Sequence, residues 1–214
     1  MPKPKDGGAH FCRRERNEIM KENTPKNSAY AHLWETQTER QEIYDGVILH
    51  VVRDTVTLPN GKEATREVAL HNGAVAIVPL TEDGCVYMEK QFRYPMGDVL
   101  DEIPAGKTDL GEDPFLAAKR ELREETGLLA QKWTYLGEYY PSPAILSEKI
   151  RMYLAEELSQ DETDPDDDEF LTVEKVPLSD VVSRVLAGEI PDGKTQCAIL
   201  RVDALVRARK TGEK

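Results

Sequence analysis

Between Gly106 and Leu128 the chain reads GKTDLGEDPFLAAKRELREETGL, and the charged residues in it are spaced for chemistry. Glu121 and Glu125 are four residues apart, which on a helix puts both carboxylates on one face with Glu124 beside them. Like charges crowded into about one helical turn repel. They make chemical sense around a hard divalent cation, and an all-oxygen cluster selects Mg2+ or Mn2+. Arg120 stands four residues before Glu124 and is placed to hold it as an ion pair. Glu112 falls in the loop ahead of the helix, where bracing that loop suits it better than binding metal. A surface helix laced with i,i+4 pairs accounts for the composition of this stretch, but not for its whole spacing.

The element that must carry these groups is also legible. Asp113 is an N-cap residue, Pro114 suits the first helical position and Gly127 supplies a left-handed stop, so the spacing predicts a helix over 114–126. Phe115, Ala118 and Leu122 fall at i, i+3 and i+7 and form its buried stripe. Upstream, strands are expected at 35–43, 46–57 and 64–70, the last two joined by a turn at LPNGKE. GAVAIVPL and CVYMEKQFRYP read as adjacent strands joined at Glu82-Asp83-Gly84, and a short strand over 99–103 leads into Pro104-Ala105-Gly106. Beyond the helix come strands at 132–139 and 149–156, the acidic loop SQDETDPDDDE, a strand FLTVEKVPL, and helices over 179–187 and 194–209. This order predicts an α+β fold, a mixed sheet packed between helices.

Composition narrows the function. The chain has 214 residues, 39% of them hydrophobic, and a net charge of −12, so one main core with some appended structure is expected. With a pI near 4.9 and no strongly basic stretch, nucleic acid and anionic membranes are not expected partners. Cys12, Cys85 and Cys197 are odd in number and far apart, without CxxC spacing, which fits a reducing compartment and no zinc. The histidines, His71 among them, are structural on this reading, because a hard cation prefers oxygen. No apolar run approaches the roughly 18 residues of a membrane span, and MPKPKDGGAHFCRRERNE lacks the apolar segment of a secretory signal. A soluble cytoplasmic protein is therefore expected. Residues 1–33 read as an extension, flexible or partly helical, followed by an N-terminal β subdomain over 34–71, the main domain over 72–209 and a tail over 210–214.

The segment opened by Gly106 and Glu112, continued by Arg120-Glu121-Leu122 and Glu124-Glu125, and closed by Gly127-Leu128 carries the whole Nudix box. From about residue 42 to 205 the chain resembles the ADP-ribose pyrophosphatase branch of the Nudix hydrolases. The likeness rests on TREV-x4-GAV at 65–75, EKQFRYPMG at 89–97, EIPAG before the box, YPSPAILSE at 140–148 and DDDEFLTVEKVPL after the acidic loop. Pro143, about fifteen residues past the box, matches the proline that marks this branch. The resemblance implies the Nudix fold, an α/β/α sandwich preceded by an antiparallel strand subdomain.

The same resemblance implies roles for individual residues. The backbone carbonyl of Ala105 with Glu121, Glu125 and Glu169 would bind metal, and Glu124 belongs to the same acidic cluster. Arg93 would bind phosphate, and Ser142, Pro143 and Glu148 would shape the terminal-ribose side. Family dimers exchange N-terminal strands, which would bring Val47 and Ile48 of one chain and Arg66 and Glu67 of the other to the adenine. No aromatic stands at 47 or 48, and Tyr44 is a nearby substitute. Ala144 occupies a position where the family usually has glycine, and its methyl in a close-packed loop is expected to shift the preferred leaving sugar.

The chemistry implied is metal-dependent hydrolysis of a diphosphate, giving AMP and ribose 5-phosphate from ADP-ribose. Glu169 is the first choice of base, and Asp167 takes that role if Glu169 is purely a ligand. Other nucleotide sugars, GDP-mannose or ADP-glucose, are the alternative substrates. A non-catalytic ADP-ribose sensor on the same fold is the alternative of another class, against which the intact acidic set argues.

Overall fold

The computed structural model describes residues 28–161 and 170–212. These fall into two compact units, one running up to His71 and including Ser142–Glu148, the other formed by Asn72–Pro141 and the chain from Lys149 onward.

The smaller unit is an antiparallel meander of β1 (Thr36–Asp45), β2 (His50–Thr57) and β3 (Glu63–Leu70), preceded by a 3-10 turn over Ser28–Leu33. Alternation of buried and exposed positions along β2, with Val52, Asp54 and Val56 inward, is the period-two pattern of a half-buried strand. The buried Asp54 is satisfied by Arg40 across the β1–β2 pair, through bonds of 2.8 and 2.7 Å. The loop Ser142–Glu148 runs beside β3. Ala69 N–H donates to the Ile145 carbonyl at 2.8 Å, and Ser147 N–H donates to the Ala69 carbonyl at 3.0 Å.

The larger unit is built around β4 (Ala74–Pro79), whose six residues are all buried. A strand apolar at every position needs cover on both faces, and β4 has it. Val75 and Ile77 pack on Ala117, Ala118 and Leu122 of α1 (Pro114–Thr126). Ala74, Ala76 and Val78 face the cluster containing Val181 of α2 (Leu178–Leu186) and Ala198, Ile199 and Val202 of α3 (Gly193–Thr211). This is the expected sandwich, with helices on both sides of a mixed sheet in which β4 lies between β7 (Ala105–Lys107) and β9 (Ile150–Gln160), parallel to β9, and β8 (Leu128–Tyr139) flanks β9. Leu122 is fully buried at the centre of the α1 face, where truncation to Ala costs about 2–5 kcal/mol.

Three elements differ from the expected pattern. β4 and β5 (Cys85–Arg93) are not ladder neighbours: β5 lies in a second sheet between β10 (Leu171–Pro177) and β6 (Asp98–Glu102), and an isolated bridge pairs Leu80, just past β4, with Val86. Hydrophobic periodicity reports which faces are buried but not which strand lies alongside, and here β4 takes β7 (Ala105–Lys107) and β9 instead. β7 itself is three residues long, too short to carry a periodic signal. β8 (Leu128–Tyr139) starts directly after Gly127, earlier than the expected 132. Of the expected extension, residues 1–27 lie outside the described residues, as do Asp167 and Glu169.

Candidate active site

Helix α1 forms where its end signals place it. The Asp113 carboxylate accepts from the Phe115 and Leu116 N–H groups at 3.0 and 3.1 Å, Pro114 opens the helix, and Gly127 closes it at φ 66° with its N–H on the Arg123 carbonyl at 2.8 Å. A cap of this kind contributes about 1 kcal/mol. Phe115 meets Trp133 edge-on with ring centroids 5.5 Å apart, which fixes the roll of the helix on the sheet.

That roll turns Glu121 and Glu125 inward. They are 6% and 4% exposed, on the side of α1 that carries Leu122. Buried carboxylates persist only where they are hydrogen-bonded or charge-paired; Glu125 finds a partner in the segment before the helix and Glu121 in its helix neighbour Arg120. Glu125 Oε2 accepts the Ala105 N–H at 3.0 Å, and Glu121 Oε1 accepts Arg120 Nη1 at 2.8 Å. Gly106 makes the close approach possible, because a Cβ there would fall 2.0 Å from Glu121 Cδ. The opening glycine of the box is required for space.

Arg120 ties the acidic cluster together. Its Nε and Nη2 each reach Glu112 at 3.1 Å, while Nη1 lies 2.8 Å from Glu121 and 2.9 Å from Glu124. Glu112 also accepts the Asp109 N–H at 2.9 Å, so it braces the loop as its position implies. The Arg120 bond holds the Glu112 carboxyl below its ordinary value against the upward push of burial, and the three glutamates raise the guanidinium further above its own. Glu124 is partly exposed and engaged by Arg120.

Arg93, at the end of β5, is not waiting alone for a phosphate. Its Nε and Nη2 form a fork on Glu102, both bonds 2.7 Å, and Glu102 is 3% exposed. That fork, with the negative charges of Asp192 and Glu125, outweighs burial and raises the Arg93 pKa. Burial pushes Glu102 upward, but Arg93 and Lys194 prevail and hold it below its ordinary value. Arg93 is partly exposed, whereas the Lys194–Glu102 pair is buried on both sides, and losing one partner of such a buried pair costs about 3–5 kcal/mol. Sequence reading missed Glu102 and Lys194. A glutamate in the apolar run VLDEIPAG was the available signal for the first, and nothing local marked the second.

The remaining expected site residues lie in the smaller unit. Val47 and Ile48 sit between β1 and β2, 92% and 60% exposed. Arg66 bonds Glu35 through Nε at 2.8 Å and Nη2 at 2.5 Å, and Glu67 pairs with Arg53 at 3.0 Å, so neither partners the other. Ser142 turns the loop, its carbonyl accepting the Ile145 and Leu146 N–H groups at 3.1 and 2.9 Å, and Pro143 is exposed within that turn. Glu148 lies 3.6 Å from His71 Nδ1. Ala144 requires a correction. It is exposed rather than close-packed, and its backbone is not left-handed, Glu157 being the one non-glycine residue with positive φ among the described residues. Nothing at Ala144 in this unit calls for glycine.

The donor set of the larger unit fits a hard divalent cation, since Ala105, Glu121 and Glu125 offer oxygen alone, gathered at a backbone that a Cβ at Gly106 would close. Among the described residues no three acidic, His or Cys side chains converge to hold a metal by themselves. Glu169, the fourth ligand implied by the resemblance, lies outside them.

Known proteins resemble the chain over most of its length. A model of the NUDIX domain matches residues 70–195, and one of the nucleoside diphosphate sugar hydrolase N-terminal domain matches residues 35–69. The ADP-ribose pyrophosphatase of Bacillus subtilis (strain 168) is 40% identical over 182 residues, 83% of this chain and 98% of its own length. That of Mycobacterium tuberculosis (strain ATCC 25618 / H37Rv) is 38% identical over 169 residues, 77% and 81% of the two chains. A crystal structure described as an ADP compounds hydrolase matches in fold with a TM-score of 0.73 at 22% identity, over 84% of this chain and 97% of that one. With the box carboxylates gathered at Ala105 and Gly106 as they are, the chain belongs to the Nudix hydrolases, in the branch of the ADP-ribose pyrophosphatases.

Proposed function

We propose that this protein hydrolyses the diphosphate of ADP-ribose to AMP and ribose 5-phosphate, with Mg2+ as the preferred metal and Mn2+ as a substitute, acting as a cytoplasmic homodimer. The observation that carries the reading is the gathering of Glu121 and Glu125 at the Ala105–Gly106 backbone. Its substrate follows from relatives named ADP-ribose pyrophosphatase that align over most of the chain.

Glu121, Glu125 and the Ala105 carbonyl would hold the metal, together with Glu169. When bound, a divalent metal supplies charge neutralisation to the diphosphate and lowers the pKa of a water. Arg93 places a fixed positive charge for the diphosphate oxygens. Arg120 keeps Glu121 and Glu124 oriented so that the carboxylates do not splay under their mutual repulsion. Glu169 takes the proton of the attacking water, with Asp167 as the rival for that role. Ser142, Pro143 and Glu148 read the terminal ribose. Arg66 and Glu67 of one chain, with Val47 and Ile48 of the other, enclose the adenine. Exposure of Val47, Ile48 and Leu49 supports a covering partner.

The free thiols of Cys85 and Cys197 support the cytoplasmic location. Among the described residues no helix is long and apolar enough to cross a membrane. The test is product analysis by ion-exchange chromatography in Mg2+, before and after chelation. Equimolar AMP and ribose 5-phosphate, lost on chelation, is the expected result. Release of ADP and free ribose, or no turnover of ADP-ribose, would refute the reading.

A further inference from the structure

We propose that Lys194, at the start of α3 and far in sequence from the box, is a positioning residue that sets Arg93 for the diphosphate by fixing Glu102 between them. The inference rests on the proposal that Arg93 contacts the diphosphate.

Glu102 is a buried carboxylate shared by two cations. Arg93 grips it with a two-nitrogen fork, and Lys194 Nζ bonds the same Oε2 that accepts Arg93 Nη2. A flexible ammonium is seldom buried without a purpose, yet Lys194 is only 8% exposed. It is held in turn by Asp192 Oδ2 at 3.0 Å, and Asp192 is the N-cap of α3, accepting the Thr195 N–H at 3.0 Å and the Thr195 hydroxyl at 2.5 Å.

The same turn of helix reaches the backbone beside Glu102. Thr195 Oγ1 accepts the Ile103 N–H at 3.0 Å, the Ile77 N–H donates to the Pro104 carbonyl at 2.8 Å, and the next residue, Ala105, donates its N–H to Glu125. The α3 N-terminus therefore grips the strand that leads into the box through one side chain and one backbone amide. Two carboxylates and two cations, Glu102 and Asp192 with Arg93 and Lys194, form a neutral set. Without Lys194 the whole charge of Glu102 falls to Arg93, and the carboxylate loses the contact that opposes the guanidinium's pull. Arg93 is then drawn onto Glu102, out of the position from which it can share its charge with a ligand.

A double-mutant cycle on the full-length protein tests this, using Lys194→Met, Arg93→Met and their combination. The readouts are kcat and KM for ADP-ribose, calorimetric affinity for inorganic diphosphate in Mg2+, and the thermal midpoint. Lys194→Met is expected to raise KM and weaken diphosphate binding by about tenfold while kcat changes by less than about threefold. In the Arg93→Met background the same substitution should change either quantity by less than about twofold, because the residue it acts through is gone. Lys194→Arg, which keeps the charge, should recover most of the affinity. If Lys194→Met does not fold, Lys194→Gln, which keeps a hydrogen-bond donor but not the charge, replaces it in the cycle with the same expectation. Equal effects of Lys194→Met in both backgrounds would overturn the proposal, as would a lowered thermal midpoint with unchanged diphosphate affinity. A wild type that binds diphosphate but does not turn over ADP-ribose would count against the proposed substrate alone, and the cycle would still be read from diphosphate affinity.

Discussion

The carboxylate of Glu121 occupies the space that a side chain on Gly106 would need. A Cβ at Gly106 would lie 2.1 and 2.2 Å from the two Glu121 oxygens, far inside van der Waals contact, and the φ of Gly106 is not in the left-handed region. Glycine is therefore demanded by the carboxylate's position and not by the chain's turn. Gly106→Ala must displace the buried Glu121 carboxylate from where it lies. The expected outcome is a kcat at least about a hundredfold lower, with the circular dichroism of the folded protein preserved. Near-normal turnover in Gly106→Ala would mean that Glu121 does not act where it lies.

The choice of base separates two acidic residues beyond the described segment. If Glu169 takes the proton, Glu169→Gln lowers kcat far more than it raises KM, by at least about a hundredfold, and Asp167→Asn costs less. Steady-state kinetics of the two variants decides it. A larger kcat loss in Asp167→Asn moves the role to Asp167.

Glu102 gives the fold a pH signature. Its carboxyl is pushed up by burial but held net below the ordinary value of 4.5 by Arg93 and Lys194. A depressed folded-state pKa contributes stability that is present above the unfolded value and lost as pH falls through the folded one. The thermal midpoint of wild type should therefore exceed that of Glu102→Gln most at neutral pH, and the gap should narrow as pH falls below about 4.5. Calorimetric scans across that range are the check, and a gap constant with pH would show that the ion pairs contribute nothing through their charge.

Assembly is the next expectation. Tyr44 near the end of β1, and Val47, Ile48 and Leu49 in the turn after it, are exposed apolar side chains that self-association would cover. Sedimentation at micromolar concentration should give a dimer, and Val47→Glu combined with Ile48→Glu should shift it toward monomer with loss of activity. A fully active monomer would contradict the exchange of N-terminal strands.

What was legible in the sequence was what is encoded locally. Asp113, Pro114 and Gly127 delimit α1 to the residue because caps act within one turn, and the i,i+4 spacing alone put Glu121 and Glu125 on a shared face. The bracing role of Glu112 followed from its place in the loop. What was not legible depends on residues distant in sequence. β4 and β5 look like neighbours from their turn, yet β4 pairs with β7 and β9, and β5 has the distant β10 on one side and β6 on the other. Arg93 matched its motif, but its grip on Glu102, and that of Lys194 on the same carboxylate, spans up to 92 residues. Ala144 looked like a constraint because of what usually stands there, and its exposed, ordinary backbone removes that constraint. Ala144→Gly should accordingly leave substrate preference unchanged.

The most direct test of the account is the comparison of kcat/KM for ADP-ribose, its guanine analogue, ADP-glucose and GDP-mannose in Mg2+, by phosphatase-coupled phosphate release. With no aromatic at Val47 or Ile48 to stack on the base, discrimination against the guanine analogue should be modest, within about tenfold. Replacing ribose 5-phosphate by a hexose phosphate should cost more, because directed polar contacts at that end are lost. The account predicts the highest kcat/KM for ADP-ribose. A higher value for GDP-mannose or ADP-glucose would contradict it.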